Sequence, residues 1–258
     1  MSKIISLCYH DVKDEKLLIS GFNSIGSNLY TLDINTFCDQ MKLLKRDHVI
    51  LVDDFTQIMN EDKFVLTFDD AGQSAYEVIL PVLEDLRLKA HFFIPTKFIG
   101  SNNFLNESQI KEISKLGHKI GSHSSSHPNQ ISRLSTKKQN YEWQSSIRVL
   151  EDITGENINC ASIPNGDVSN KVYECMVNNG IKYIFNSYPT SNIKKFHKSY
   201  IFGRFAFKNN YEIKFYDALL ENNRKYIFIF SMISINKMII KKLLGKYYLK
   251  FRNYFLHY

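Results

Sequence analysis

At 258 residues, with 44% hydrophobic and 14% aromatic side chains, the chain carries enough apolar material for a sizeable core, which excludes a disordered protein. The net charge of +7 is uneven: six cations and no acid lie from Lys237 to the end, so the rest sits near +1 and shows no nucleic-acid footprint. Cys8, Cys38, Cys160 and Cys175 are far apart with no CxxC pair, which fits neither a disulfide framework nor a zinc ribbon and reads as buried thiols in a reducing compartment.

The first residues, Met1 to His10, enter a strand-like run directly, without a basic leader, long apolar segment or small-residue cleavage site. No stretch reaches the ~18 apolar residues of a membrane span. A cytoplasmic location is therefore expected. Strand-like runs follow at Ile4–Tyr9, Val49–Val52, Phe64–Phe68, Ala90–Ile94, Lys119–Ser122, Cys160–Ile163, Tyr183–Asn186, Tyr200–Phe207 and Tyr226–Phe230. Between them, helical patterns occupy Asn35–Asp47, Gln73–Arg87, Asn106–Leu116, Thr136–Ile153 and Ser169–Asn179. Asn106 with Gln109 forms a capping-box pattern, and Gly117, Gly155 and Gly180 stand where last turns need a left-handed residue. Strand and helix alternating over short connections predict an α/β protein with a parallel sheet, and the number of units favours a barrel. One domain over residues 1–230 and an extension over 231–258 is the simplest division.

The chemistry lies in two clusters. Phe64-Val65-Leu66-Thr67-Phe68 ends in Asp69-Asp70, and His123 and His127 flank three serines. Asp70, His123 and His127 would supply three metal ligands of the carboxylate and imidazole type and leave a position for water, with Asp69 free as a base. Adjacent strand residues face opposite ways, so both acids reach one site only if the backbone turns there, and Gly72 would make that turn cheap. Taken singly, the acid pair also reads as a helix cap beside a solvated carboxylate, and the histidine pair as a polar loop.

Taken together, Asp69-Asp70 after a strand, Gly117-His118-Lys119-Ile120-Gly121-Ser122-His123 with His127-Pro128, Lys89-Ala90-His91-Phe92-Phe93-Ile94, and Ser162-Ile163-Pro164-Asn165-Gly166 resemble the polysaccharide deacetylase family. The resemblance covers roughly residues 4–207 and implies a distorted (β/α) barrel that removes acetyl groups from sugars with one divalent metal ion. By position, Asp70, His123 and His127 look like the metal ligands and Asp69 like the general base. Pro164, Asn165 and Gly166 would line the substrate site, with the Asn165 N–H as an oxyanion donor. Many members carry Arg where this chain has Ser162, and Gly directly after the acid pair where it has Ala71. In the family that arginine normally orients the base aspartate; Arg204, in a late strand, is the candidate cation to replace it, grouped with the substrate-site residues, against the plain reading of a surface cation. Leu7-Cys8-Tyr9-His10-Asp11-Val12 resembles the N-terminal motif of the branch acting on poly-N-acetylglucosamine, which makes His10 the candidate general acid. The other histidines read as structural or exposed.

Two imidazoles and a carboxylate suit Zn²⁺, with Co²⁺, Ni²⁺ or Fe²⁺ able to substitute. Family and expected location point to an acetylated sugar presented as a nucleotide sugar or a lipid-linked glycan. In the tail, Ile239-Ile240, Leu243-Leu244, Tyr247-Tyr248, Phe251 and Phe255 recur at helical spacing among the lysines. That pattern fits a basic amphipathic helix on the inner membrane face, or equally a helix packed on protein. Hydrolysis of another C–N bond on the same barrel, or a non-catalytic glycan-binding role, are the alternatives. A paired-carboxylate glycosidase is disfavoured, because its acids must flank the sugar at about 5 Å or more on separate elements.

Overall fold

The computed structural model describes residues 3–14, 20–57, 61–209, 213–221 and 223–244. Two compact units emerge, Met1–Ile213 and Lys214–Tyr258. The division anticipated after residue 230 falls inside the last helix.

The first unit opens with β1 (Ile4–Tyr9), β2 (Asp11–Lys13), the short α1 (Ile25–Asn28), β3 (Thr31–Asp33) and α2 (Ile34–Lys42), with β2 and β3 paired as a small separate sheet. β4 (Lys63–Phe68), α3 (Leu80–Asp85), β5 (His91–Ile94), α4 (Glu107–Lys115) and β6 (Lys119–Ser122) follow in alternation. The series continues with α5 (Thr136–Thr154), β7 (Cys160–Ser162), α6 (Asn170–Asn178), β8 (Tyr183–Phe185), β9 (Lys194–Phe196), β10 (Ser199–Phe202) and β11 (Phe205–Ala206).

The large sheet runs β11-β1-β4-β5-β6-β7-β8-β10-β9, parallel throughout except for β9 against β10. Its closure is covalent. β10 pairs with β8 at one side of the sheet and β11 pairs with β1 at the other, yet only Gly203 and Arg204 separate β10 from β11. One bent segment thus joins the two sides, which makes the sheet a distorted barrel. The bend requires Gly203, since a Cβ there would stand 2.8 Å from the Thr190 carbonyl oxygen and closer still to that of Tyr188.

Strand alternation sorts the side chains into two layers. Val65, Phe93, Cys160, Tyr183, Phe185 and Phe202 form one buried apolar cluster. On the alternate face Tyr9 stacks with Phe68 at 5.5 Å and meets Phe37 of α2 edge-on at 5.7 Å, so the helices are seated on aromatic rings.

Most anticipated elements occur within a residue or two of their expected ends. The Asn106 capping box is formed, and Gly117, Gly155 and Gly180 have φ of 85°, 72° and 85°. Four expectations fail, the first being Asn35–Asp47, whose helix ends at Lys42 with a separate 3-10 turn at Arg46–His48. Val49–Val52 makes only an isolated bridge to Phe64 before a 3-10 turn, and the run Tyr200–Phe207 is broken at Gly203-Arg204. Gln73–Arg87 is not uniformly α-helical: Ala75–Ile79 is a wider π turn, in which Leu80 N–H reaches the Ala75 carbonyl. Pro81 lacks an N–H and its ring would crowd the preceding turn, which the wider turn relieves.

The second unit contains α7 (Ile213–Leu220), whose first residue closes unit one, and α8 (Arg224–Leu244). Tyr226–Phe230, read as a strand, lies in α8: a five-residue apolar run does not discriminate strand from helix, and the flanking residues decide. Residues 245–258 lie outside the described residues, as do the side chains of 237–244, so the predicted amphipathic face is not described. Among the described residues no helix is long and apolar enough to cross a membrane.

Candidate metal centre

β4 delivers the acids. It ends at Phe68, after which Asp69 N–H still donates to the Tyr9 carbonyl at 2.9 Å while Asp70 and Ala71 take φ of 72° and 51°. The turn that brings both carboxylates to one place is thus made by Asp70 and Ala71 themselves. Gly72 serves otherwise: a Cβ there would lie 2.7 Å from Gly21 N and closer to the side chains of Asp11 and Ser20. Its lack of a side chain lets three segments meet. Asp11 accepts from Ser20 Oγ at 2.6 Å and Ser74 Oγ at 2.8 Å, tying the chain after His10 to the turn after Asp70.

β6 delivers the histidines. His123 N–H continues the pairing to the Ile94 carbonyl at 3.0 Å, and Ser124 and His127 take φ of 62° and 51°. No helix forms, and the four-residue spacing is that of a tight loop. Glu142 of α5 holds it, accepting from Ser125 N at 3.0 Å, Ser126 N at 2.7 Å and Ser126 Oγ at 2.6 Å. Residues with positive φ other than glycine are uncommon, and five of the eight described here, Asp70, Ala71, Ser124, His127 and Asn165, lie in the loops after β4, β6 and β7.

The loops bring Asp70, His123 and His127 together, with one potential ligand atom from each lying within 4.8 Å of the others. His123 Nε2 and His127 Nε2 stand 3.3 and 3.2 Å from Asp70 Oδ1. Asp70 Oδ1 is buried and has no hydrogen-bond partner. His123 Nδ1 faces the Ser162 carbonyl at 2.9 Å, and since a carbonyl only accepts, the neutral ring carries its proton on Nδ1 and turns the Nε2 lone pair to Asp70. A lone pair aimed at an orphaned carboxylate oxygen asks for a cation between them, and a backbone carbonyl behind the imidazole is the usual support of a metal ligand. Electrostatics agree. Burial opposes charge on His123, but Asp69 and then Asp70 outweigh it and raise its pKa. Burial likewise opposes charge on Asp70, and the two imidazoles hold its carboxyl well below the usual range. The residues fit a divalent ion.

Asp69 stands apart from that triad. Arg204 Nη1 donates to Oδ1 and Nη2 to Oδ2, each at 2.7 Å, and Ser162 Oγ donates to Oδ2 at 3.1 Å. Burial would raise the Asp69 pKa; Arg204, followed by His123, outweighs it and holds the value at about 2. Arg204 is 1% exposed, and its other contacts are Asn186 O at 3.1 Å, Thr67 Oγ1 at 3.2 Å and Ser162 Oγ at 2.7 Å. It therefore lies beneath the site, behind Asp69, and neither lines a substrate surface nor projects from the protein. The small side chain of Ser162 accommodates the guanidinium that arrives from the barrel's closing bend.

His10 follows β1, beside β4 in the sheet, and offers a ring nitrogen within 4.8 Å of carboxylate and thiol atoms of Asp69 and Cys8. Its ring lies 4.7 Å from that of Tyr30, and its Nδ1 is buried without a partner. Burial pushes the neighbouring Cys8 thiol up, so it stays neutral. Pro164, Asn165 and Gly166 form a 3-10 turn after β7 with Asn165 exposed at φ 55°, and none of the three hydrogen-bonds to Asp69 or Asp70. They share the sheet's carboxyl end with the acids and histidines, where barrel sites are built.

Among known proteins, the signature described as polysaccharide deacetylase matches residues 56–184, half of the chain. This chain belongs to that family. YxkH of Bacillus subtilis strain 168 is 28% identical over 163 residues, 60% of this chain and 58% of YxkH. The poly-beta-1,6-N-acetyl-D-glucosamine N-deacetylase of Staphylococcus epidermidis is 25% identical over 207 residues, 70% of this chain and 71% of that protein. Matches to other curated relatives span less: 31% identity to the peptidoglycan-N-acetylglucosamine deacetylase PgdA of Listeria monocytogenes covers 43% of this chain and 23% of PgdA. The fold is that of a solved Streptococcus pyogenes deacetylase, PplD in complex with acetate, at TM-score 0.68 and 20% identity, covering 85% of this chain and 97% of PplD.

Proposed function

We propose that this chain is a metal-dependent carbohydrate deacetylase that removes an acetyl group from an N-acetylated sugar or glycan intermediate in the biosynthesis of a cell-surface polysaccharide or lipid-linked glycan. The observation that carries the reading is the convergence of Asp70, His123 and His127 on one point beside an Asp69 kept anionic by Arg204. Family membership supplies the reaction class, and the name of the Staphylococcus relative suggests the acetamido sugar.

Asp70, His123 Nε2 and His127 Nε2 would hold the ion, Zn²⁺ by preference, with Co²⁺, Ni²⁺ or Fe²⁺ as substitutes. When bound, it would supply Lewis-acid polarisation of the acyl carbonyl and of the attacking water. Asp69 takes the proton from that water, and Arg204 fixes the acid's geometry and charge. The Asn165 N–H offers a donor to the developing oxyanion. His10 gives the leaving nitrogen its proton, without which an amine departs poorly. The four free cysteines are compatible with a reducing, cytoplasmic setting, where nucleotide sugars and lipid-linked glycans would be met before export.

The test is acetate release from β-1,6- and β-1,4-linked N-acetylglucosamine oligomers and from acetylated nucleotide sugars, read as ~42 Da lost per acetyl group by mass spectrometry. Activity should disappear with chelation and return with Zn²⁺. Asp69→Asn should keep the metal and lose at least about 10²-fold in turnover, whereas Asp70→Asn should lose both. Stoichiometric metal in a His123→Ala, His127→Ala double variant would overturn the ligand assignment.

A further inference from the structure

The second unit carries features that the acid and histidine site does not use. Phe215 of α7 stacks on Phe230 of α8 with ring centroids 3.9 Å apart, and lies 6.4 Å from Tyr226. Tyr226 and Phe230 are four residues apart and mark the side of α8 turned toward α7. Other large apolar side chains of α8 are exposed. Phe228 is 65% exposed, Ile229 48%, Met232 46% and Ile233 50%. Ile229, Met232 and Ile233 fall at i, i+3 and i+4, so they form one stripe with Phe228 beside it. Five of the ten exposed large hydrophobic residues found among the described residues lie between Tyr226 and Ile233, a concentration that marks an interaction surface rather than the scatter of an ordinary exterior.

Charge identifies the partner. From Arg224 to Tyr258 the sequence has eight Lys and Arg residues and no Asp or Glu, which leaves the preceding 223 residues near −1. A protein partner would reward the apolar stripe without needing uniform positive charge, and a nucleic acid would reward the charge without needing the stripe. An anionic bilayer rewards both, taking apolar side chains at its acyl boundary and Lys or Arg among its headgroups. No described helix is apolar enough to span, so the segment would lie in the interface.

We infer that α8 docks on an anionic lipid bilayer, with Phe228, Ile229, Met232 and Ile233 entering the acyl boundary. Lipid binding of this kind is independent of catalysis at Asp69, so its failure would leave the deacetylase reading intact.

The experiment is sedimentation of the full chain with vesicles of phosphatidylcholine alone and with about 30 mol % phosphatidylglycerol. The protein should pellet only with the anionic vesicles, and about 1 M NaCl, where the Debye length falls to about 3 Å, should release most of it. Lys237→Gln with Lys241→Gln should weaken binding roughly tenfold or more, and Phe228→Ser with Ile233→Ser by at least as much. Circular dichroism and the thermal midpoint of each variant verify that the fold survives, and the salt response of the unaltered chain needs no variant. Equal pelleting with neutral vesicles, no pelleting with either, or concentration-dependent self-association abolished by the Phe228 and Ile233 changes would overturn the inference.

Discussion

Arg204 and Asp69 are 135 residues apart in sequence and form a two-pronged buried pair, Nη1 to Oδ1 and Nη2 to Oδ2, each at 2.7 Å. Such a fork fixes an acid's direction as well as its charge, which a lysine cannot do. Arg204→Lys should therefore fold and bind metal, with kcat reduced about 10–100-fold and KM nearly unchanged, because Asp69 loses alignment rather than substrate contact. Arg204→Met leaves Asp69 buried without a counter-charge and should cost about 3–5 kcal/mol in urea unfolding. A Lys variant with unaltered kcat would remove Arg204 from the positioning of Asp69.

Glu142 holds the backbone between the two histidines through Ser125 and Ser126. Removing it frees those N–H groups and lets His127 swing away from Asp70. Glu142→Ala should weaken Zn²⁺ affinity about 10–100-fold, the usual effect of losing a group that orients ligands, while Glu142→Gln retains an acceptor and recovers part of it. Competition with a chromophoric chelator measures both. Equal affinity in the Ala variant and the unaltered chain would show that the loop holds itself.

Asp70, His123 and His127 could be grouped in sequence only through the joint pattern and its resemblance to the family, since each pair read singly as a cap or a polar loop; the structure places the three side chains together. The turn at Asp70-Ala71 was not legible, since neither residue advertises a positive φ and Gly72 drew the assignment. Arg204 could be nominated but not located: its place depends on the chain crossing from β10 to β11, a long-range closure with no local signature. Glu142 was missed, although a signal existed. It shares the inward face of α5 with Gln139, Trp143 and Ser146, and an acid on a buried helical face needs a partner. The strand reading of Tyr226–Phe230 shows the limit of short apolar runs.

His91 gives the barrel a pH dependence separate from the metal site. It is buried, accepting from Val52 N on Nε2 at 3.2 Å, with Nδ1 3.0 Å from the Leu66 carbonyl. Burial lowers its pKa to about 4, against the opposing pull of that carbonyl. The unfolded chain, with a histidine near 6.5, binds a proton first as pH falls, so stability is whole above about 6.5 and declines toward 4. At pH 5 the loss from His91 comes to about 2 kcal/mol. Urea midpoints of chelated protein at pH 7 and 5 should therefore differ, and His91→Gln, which can keep both hydrogen bonds without titrating, should narrow that difference. An unchanged gap would place the acid sensitivity elsewhere.

His10 decides whether this chain has its own proton donor. Its ring lies at the carboxyl end of β1 within reach of Asp69, and its Nδ1 is buried without a partner. If it protonates the departing amine, His10→Ala should lower kcat on an N-acetyl sugar by about 10²–10⁴ while metal content and thermal midpoint stay unchanged. An aryl acetate releases a phenolate that needs little help from an acid, so the same variant should keep most of its activity there. A histidine that merely packs against Tyr30 would, on removal, depress both substrates alike. His10→Gln separates shape from proton transfer further: it fills much of the same space yet donates no ionisable proton, and it should fail on the amide as the Ala variant does. Recovery of amide turnover in the Gln variant, or equal losses on amide and ester, would exclude His10 as the acid and assign it to holding the loop after β1.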